Sequence, residues 1–387
     1  MRIMEEMGVM KELSDHLLNR ASELQKKREE GVKVVGCFVG EFVPEELIYA
    51  AGAIPITLIH GGDPESVEAA HAVIPRFLCP FARAQFGQRL LNEQPYYGLV
   101  DMLAVPITCQ NLRRIADLWN HFTDVPVFRL GIPHEYDNDQ SLMYFRGMLN
   151  RFKERLESFT GNSITTERLR DATELYNQMR GLLKDIGELR KSPVPPLDSL
   201  DFIKLNHASY YADLPFMVKT LEAVYQELRN REGDPGLKKD GPRLLLVAPN
   251  VAQGDYKVLN LVRETGAHVV VEEVCEAVRK YEENVTTDGD LLNALAIKYL
   301  QKRIPCAFMR FSSKKRLNAL VDLLKEYNAQ GILWYQLKYC ETYDLEAFYF
   351  RQKTREMKIP FLETESEYDV SDVGQLRTRI EAFVETF

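Results

Sequence analysis

Six cysteines fall into two triplets: Cys37, Cys79 and Cys109 in the first third of the chain, and Cys275, Cys306 and Cys340 in the last third. Intervals within the triplets are 42 and 30 residues, then 31 and 34, with 166 between Cys109 and Cys275. One strand–crossover–strand unit of a parallel sheet takes about 30 residues or more, so the thiols recur at the period of a βα unit. Nearly every one follows a stretch that reads as a strand. Open α/β sheets bind ligands outside the carboxyl ends of their strands. The spacing therefore predicts two α/β halves, each presenting three thiols to a crevice where a cofactor could sit.

The text between the cysteines supports that division. Residues 5–30 read as a surface helix, with Met10, Leu13, Leu17, Leu18 and Leu24 near helical spacing. From 31 to about 138 strands alternate with helices: strands near 33–35, 54–59, 103–108 and 125–130, helices near 44–51, 80–92 and 111–120. Residues 139–235 change character. Leu169, Ala172, Leu175, Met179, Leu182, Leu183, Ile186 and Leu189 keep a spacing of three and four over more than five turns, and two shorter helices follow the break at Pro193–Pro196. A turn-rich linker at 231–243 precedes a second alternation, from 240 to 387. Its strands are expected near 244–247, 268–272, 332–336 and 360–363. The expected class is α/β: two Rossmann-like parallel-sheet domains, a helical insert and an N-terminal helix. The halves share a plan but no alignable repeat.

Bulk properties narrow the partners. A length of 387 residues supplies ample core for two or three domains. The net charge of −8 argues against nucleic acid, whose phosphates need a basic face. No apolar run approaches the roughly 18 residues of a membrane span, and the N-terminus lacks a signal peptide's apolar core. The cytoplasm is the expected location, where structural disulfides are rare. No G-x-x-x-x-G-K-[ST] occurs, so hydrolysis of ATP through a P-loop is not expected, and no G-x-G-x-x-G follows a strand. The seven histidines form no H-x-x-x-H or H-E-x-x-H pair; His60, on a Gly-Gly turn past a strand end, is the one to follow.

Four chemistries compete for the thiols. Burial as small hydrophobes is the ordinary fate of any one cytosolic cysteine. Zinc sites usually carry a C-x2-4-C pair, and no two cysteines here lie closer than 30 residues. A Cys–His nucleophile would leave five thiols unexplained. Iron–sulfur ligation fits best, because a fold can gather dispersed thiolates. Helices beginning at Pro44, Pro80 and Asn111 would offer backbone N–H groups to an anionic cluster.

Three segments resemble a known family. They are Gly40–Pro55 (GEFVPEELIYAAGAIP), then GPRLLLV from Gly241 with GAHVVVEEVC ending at Cys275, and Gly374–Phe383 (GQLRTRIEAF). Together they look like the 2-hydroxyacyl-CoA dehydratase and benzoyl-CoA reductase superfamily. That resemblance implies two Rossmann-like domains, pairing as a dimer, iron–sulfur clusters between domains, and electrons from a separate ATP-hydrolysing iron–sulfur reductase. Six cysteines resemble the double-cubane cluster proteins of that superfamily, in which two 4Fe–4S cubanes share a bridging sulfide as an 8Fe–9S unit. By that resemblance Cys37, Cys79, Cys109, Cys275, Cys306 and Cys340 all become ligands, with one cubane expected per triplet. The implied activity is reduction of small, acetylene-like unsaturated molecules by a soluble homodimer. Glu41 and Lys338 are candidate catalytic groups; Tyr339, Arg76, Arg83 and Arg310 are candidates to balance charge or guide access. Two alternatives stay open: a 2-hydroxyacyl-CoA dehydratase subunit with one 4Fe–4S cluster, and a non-catalytic electron carrier.

Overall fold

Short apolar runs bounded by glycine, proline and acids become strands buried on both faces, the mark of a parallel sheet covered by helices. The computed structural model describes residues 7–387. The first half holds β1 (Val34–Phe38), β2 (Ile54–Leu58), β3 (Met102–Ile107) and β4 (Val127–Gly131). The second holds β5 (Arg243–Val247), β6 (His268–Glu273), β7 (Gly331–Leu337) and β8 (Phe361–Ser366). Every pairing is parallel, and the two sheets follow the same path, β2-β1-β3-β4 and β6-β5-β7-β8. The direction of winding thus reverses between β1 and β3 and again between β5 and β7. Loops leaving those strands form the crevice where such sheets bind ligands.

The N-terminal helix runs Gly8–Glu29; residues 5 and 6 of its expected span lie outside the described residues. Four helices make up the region between the sheets: Asp139–Thr160, Thr166–Glu188, Ser199–Ala208 and Leu214–Leu228. Each starts at a residue whose side chain accepts an N–H of the first turn, from Asn138, Thr165, Asp198 and Asp213. The apolar stripe from Leu169 to Ile186 faces the core as its spacing predicts, with Leu169, Met179, Leu183 and Ile186 buried.

Two buried ion pairs from this stretch reach the two halves. Arg180 donates to Glu46 at 2.8 Å, on the helix that follows β1. Arg190, in the short 3₁₀ turn ending the same helix, binds Glu272 of β6 through two bonds of 2.5 and 2.7 Å. All four side chains are buried. A backbone seam adds to them: Gly61 N–H donates to Gln253 O at 3.0 Å, and Gln253 N–H to Ile59 O at 2.8 Å. This seam explains the His60-Gly61-Gly62 turn. Gly62 has φ +82°, and a Cβ there would collide with the backbone of Gly254 and Asp255.

His60 and His207 are buried behind the seam, bonded to Tyr211 (3.1 Å) and to Tyr256 (3.1 Å) and Val251 O (3.0 Å). Burial pushes them down to about 4 and about 3, so both stay neutral. Unfolding restores a value near 6.5, so the unfolded chain binds more protons as pH falls from about 6.5 toward 4. Stability that these imidazoles contribute is present above pH 6.5 and lost below it. Glu45, raised to about 7 mainly by burial, acts oppositely and loses stability as pH rises through 4.5 to 7.

Two outcomes follow from this packing. Arg190→Met leaves Glu272 charged and buried, and should lower the unfolding free energy in urea by about 3–5 kcal/mol; a loss under about 1 kcal/mol would show that the pair does not anchor the second sheet. His207→Gln should flatten the fall in unfolding free energy between pH 7 and 4.5, relative to the parent protein. An unchanged slope would mean that His207 is not held neutral.

Candidate functional site

Both reversal points open on one cavity. Its lining comprises Val39, Gly40 and Phe42 after β1, Thr108, Cys109 and Asn111 after β3, Pro249 and Asn250 after β5, and Cys340 and Glu341 after β7. Cys79, Cys275 and Cys306 complete the set, so five of the six thiols face a single space supplied by both halves. All six cysteines are free. The sixth, Cys37, is not in this lining. Successive strand residues point to opposite faces, and Cys37 shares its face with Val35 in the core cluster around Phe42, Leu47 and Leu169. Burial drives its thiol well up, and the carboxylates of Glu45 and Glu41 push it further.

The thiols do not all sit at strand ends, as their spacing suggests. Cys109, Cys275 and Cys340 follow β3, β6 and β7, whereas Cys37 lies within β1. Cys79 and Cys306 lie in crossover connections, and their thiols line the same cavity. The spatial grouping also departs from the two triplets. Asn111 accepts from the Cys79 N–H at 3.4 Å and donates to Tyr339 O at 3.3 Å, binding the Cys79 and Cys109 loops to the start of the Cys340 helix. Cys340 therefore groups with Cys79 and Cys109, and its nearest thiol charges are theirs. Cys275 groups with Cys306, whose charge also reaches Cys109 across the cavity.

The first group has a common local origin. Cys79, Cys109 and Cys340 each occupy the N-cap of a helix, Pro80–Leu91, Gln110–Phe122 and Glu341–Glu356. The N–H groups of Phe81 and Ala82, of Asn111 and Leu112, and of Tyr343 point at the three sulfurs. Such starts carry partial positive charge and favour anions. Burial nevertheless dominates, raising Cys79 to about 11 and Cys275 to about 12.

Buried charge fixes the second group. Arg279 pairs with Glu273 at 3.0 Å, donates to Ala248 O and the Tyr343 hydroxyl at 2.6 and 2.7 Å, and places Nη1 3.9 Å from Cys306 Sγ. Arg316 pairs with Glu273 (3.2 Å) and Glu346 (3.0 Å) and donates to Pro305 O (3.2 Å). This lattice ties the loop after β6, the Cys306 loop and the Cys340 helix together. It is invisible in sequence, where its members are ordinary charges up to 73 residues apart. Asn111, two residues past Cys109 at a helix start, is the one group whose position gave a local signal.

The remaining candidates lie elsewhere. The Glu41 carboxylate accepts from Tyr210 at 2.6 Å, at a left-handed residue with φ +57°, and does not line the cavity. Lys338 is half-exposed and pairs with Glu367 at 3.2 Å. Tyr339 stacks edge-on against Phe77. Arg83 is buried against His71 and Glu367, Arg310 pairs with Glu135 at the surface, and Arg76 is exposed. Thr108, Cys109, Phe308, Glu341 and Thr342 also line an open depression of about 500 Å³ that leads to solvent past Arg113, His134 and Leu345.

Among the described residues no three Cys, His, Asp or Glu side chains close on one point as ligands of a single metal ion do. A polynuclear cluster asks for something else: each thiolate binds its own iron, so the ligands ring a volume. Five thiols around one space, with three helix starts and a guanidinium aimed into it, fit an anionic group of that kind. No helix among the described residues is long and apolar enough to cross a membrane.

Comparison with known proteins agrees with this architecture. The family model of the 2-hydroxyglutaryl-CoA dehydratase D-component matches residues 41–387. The chain is 30% identical to "Putative dehydratase subunit YjiM" of Escherichia coli (strain K12), covering 92% of each chain. It is 23% identical to one of the subunits of benzoyl-CoA reductase from Thauera aromatica, over 88% of this chain and 87% of that one. It is also 23% identical to the beta subunit of (R)-2-hydroxyglutaryl-CoA dehydratase of Acidaminococcus fermentans, over 94% of each. The chain belongs to the 2-hydroxyglutaryl-CoA dehydratase D-component family, within the superfamily of these dehydratases and benzoyl-CoA reductase.

Proposed function

We propose that the cavity holds an iron–sulfur cluster on the thiolates of Cys79, Cys109, Cys275, Cys306 and Cys340, and that the protein is a cytoplasmic, homodimeric reductase of small unsaturated molecules. The observation that carries the reading is the convergence of five thiols from both halves on one space. Five thiols exceed what one cubane takes, which supports two adjacent cubanes, the 8Fe–9S arrangement; with three thiolates on one cubane and two on the other, one iron would take a further ligand. When bound, such a group would supply several low-potential electrons at one place. A separate ATP-hydrolysing iron–sulfur reductase is the proposed source. The chain itself would do three things: present N–H groups and Arg279 to the cluster's negative charge, exclude bulk water with Phe42, Phe81 and Phe308, and admit a small molecule from the depression beside Cys109. Glu41, bonded to Tyr210, and Lys338, paired with Glu367, take no part in the chemistry on this reading.

A second reading has its own support. Cys79, Cys109 and Cys340 alone form a three-thiol set at three helix starts, enough for the single 4Fe–4S cluster of a dehydratase subunit, and the relatives include proteins named as such subunits. Iron and sulfide analysis of anaerobically purified protein separates the two. About eight irons per chain is expected for a double cubane; about four would favour the dehydratase reading.

Substitutions locate the ligands. Cys109→Ser and Cys306→Ser should each lose bound iron, while Cys37→Ser should retain the parent content. Full retention in the Cys306 variant, or loss in the Cys37 variant, would contradict the five-thiol assignment.

A further inference from the structure

The two thiol groups meet positive charge of different kinds. Around Cys79, Cys109 and Cys340 it is the partial charge of three helix starts. The helix that follows Cys275, Val278–Tyr281, is a single turn, and the positive groups near Cys275 and Cys306 are two guanidinium cations. One is Arg279, at 3.9 Å from Cys306 Sγ. The other is Arg303, buried and near enough to the same two thiols for their charge to act on it.

Arg303 is 5% exposed and forms no ion pair among the described residues. Carbonyl oxygens hold it instead: Gly40 at 3.4 Å, Ile304 at 3.4 Å, and Glu41. The Phe42 ring lies 4.1 Å beneath its guanidinium. The neighbouring carboxylates bond to other groups, Glu41 among them through the Tyr210 hydroxyl. Glu273 is shared by Arg279 and Arg316, Glu346 serves Arg316, and Glu282 accepts the Ile304 N–H at 2.8 Å. Glu273 and Glu346 thus pair directly with Arg279 and Arg316, whereas Glu282 and Glu41 act on Arg303 only from a distance, without an ion pair. A buried cation with no carboxylate in direct contact is costly, so this one suits further negative charge within the cavity itself.

We infer that Arg303, with Arg279, is the counter-charge of the anionic group bound by Cys275 and Cys306, and that the two make this side of the cavity its more easily reduced end. The inference rests on the iron–sulfur reading above. Cluster potentials respond to nearby charge and to hydrogen bonds on the sulfurs. A whole charge away from water acts more strongly than the roughly half charge of a helix start. Electrons from an external donor would therefore settle beside Cys306, each reducing one ferric iron to ferrous. Ala307 and Phe308, the next residues, line the open depression. The reducing end and the proposed entrance for a small molecule coincide.

The test compares full-length parent protein, Arg303→Gln and Arg303→Lys after anaerobic reconstitution. Iron and sulfide content, the midpoint potential from a dithionite titration followed by electron paramagnetic resonance, and the thermal midpoint with and without iron are read for each. Arg303→Gln should load as much iron as the parent, show its first reduction at a more negative potential, and gain less thermal stability on loading. Arg303→Lys keeps the charge and should stay near the parent in both respects. Full loading of both variants with unshifted potentials overturns the inference alone. Should Arg303→Gln not fold, a large negative shift in Arg303→Lys would overturn it equally. Failure of every form, parent included, to take up iron overturns the iron–sulfur reading and this inference with it.

Discussion

Everything at the cavity depends on the helix Thr166–Glu188 holding the two sheets at one distance. Arg180 reaches Glu46 behind β1, and Arg190, ten residues on, reaches Glu272 on β6. A helix rises about 1.5 Å per residue, so these anchors are about 15 Å apart on a stiff rod. Each pair is buried, hydrogen-bonded and intolerant of losing one member. Neither sheet can move along the rod without leaving an unpaired charge in the interior. The seam between Ile59–Gly61 and Gln253 closes the other side with backbone bonds. Between these fixed contacts the carboxyl edges of β1, β3, β5 and β7 face one another.

That placement lets a family architecture become a chemical site. In a lone doubly wound sheet the crevice at the reversal point faces solvent. Two such crevices apposed make an enclosed space whose walls come from two sets of loops. Helix starts face it from one group of thiols and guanidiniums from the other. Burial favours the protonated thiols, and the N–H and N⁺–H donors around them would offset the charge of a thiolate-bound group.

Strand and helix alternation, the helical region between the sheets and the resemblance to the family were all legible, because each rests on local pattern. Periods of two and near 3.6 survive in the text wherever one face is buried, as from Leu169 to Ile186. The positions of the thiols were only partly legible. Cys79 and Cys306 sit in crossover loops whose path depends on the helices they pack against. Cys37 lies in a strand, but which of its faces meets the cavity is decided by the helices covering β1. The grouping of Cys340 with Cys79 and Cys109 depends on Asn111 joining loops 228 residues apart in sequence. Arg279, Arg303 and Glu273 gave no signal at all. A buried charge and a solvated one are written with the same letter, and only the packing separates them.

The central claim is that thiols from opposite halves of the chain share one cavity, and cross-linking of the iron-free protein tests it without any cofactor. A short bis-maleimide applied under anaerobic, reducing conditions, followed by peptide mass spectrometry, reads which cysteines are neighbours. The account predicts a Cys109–Cys306 product and a Cys79–Cys340 product, both joining the two halves. Products confined to pairs within one half, such as Cys79–Cys109 alone with Cys275–Cys306 alone, would contradict it.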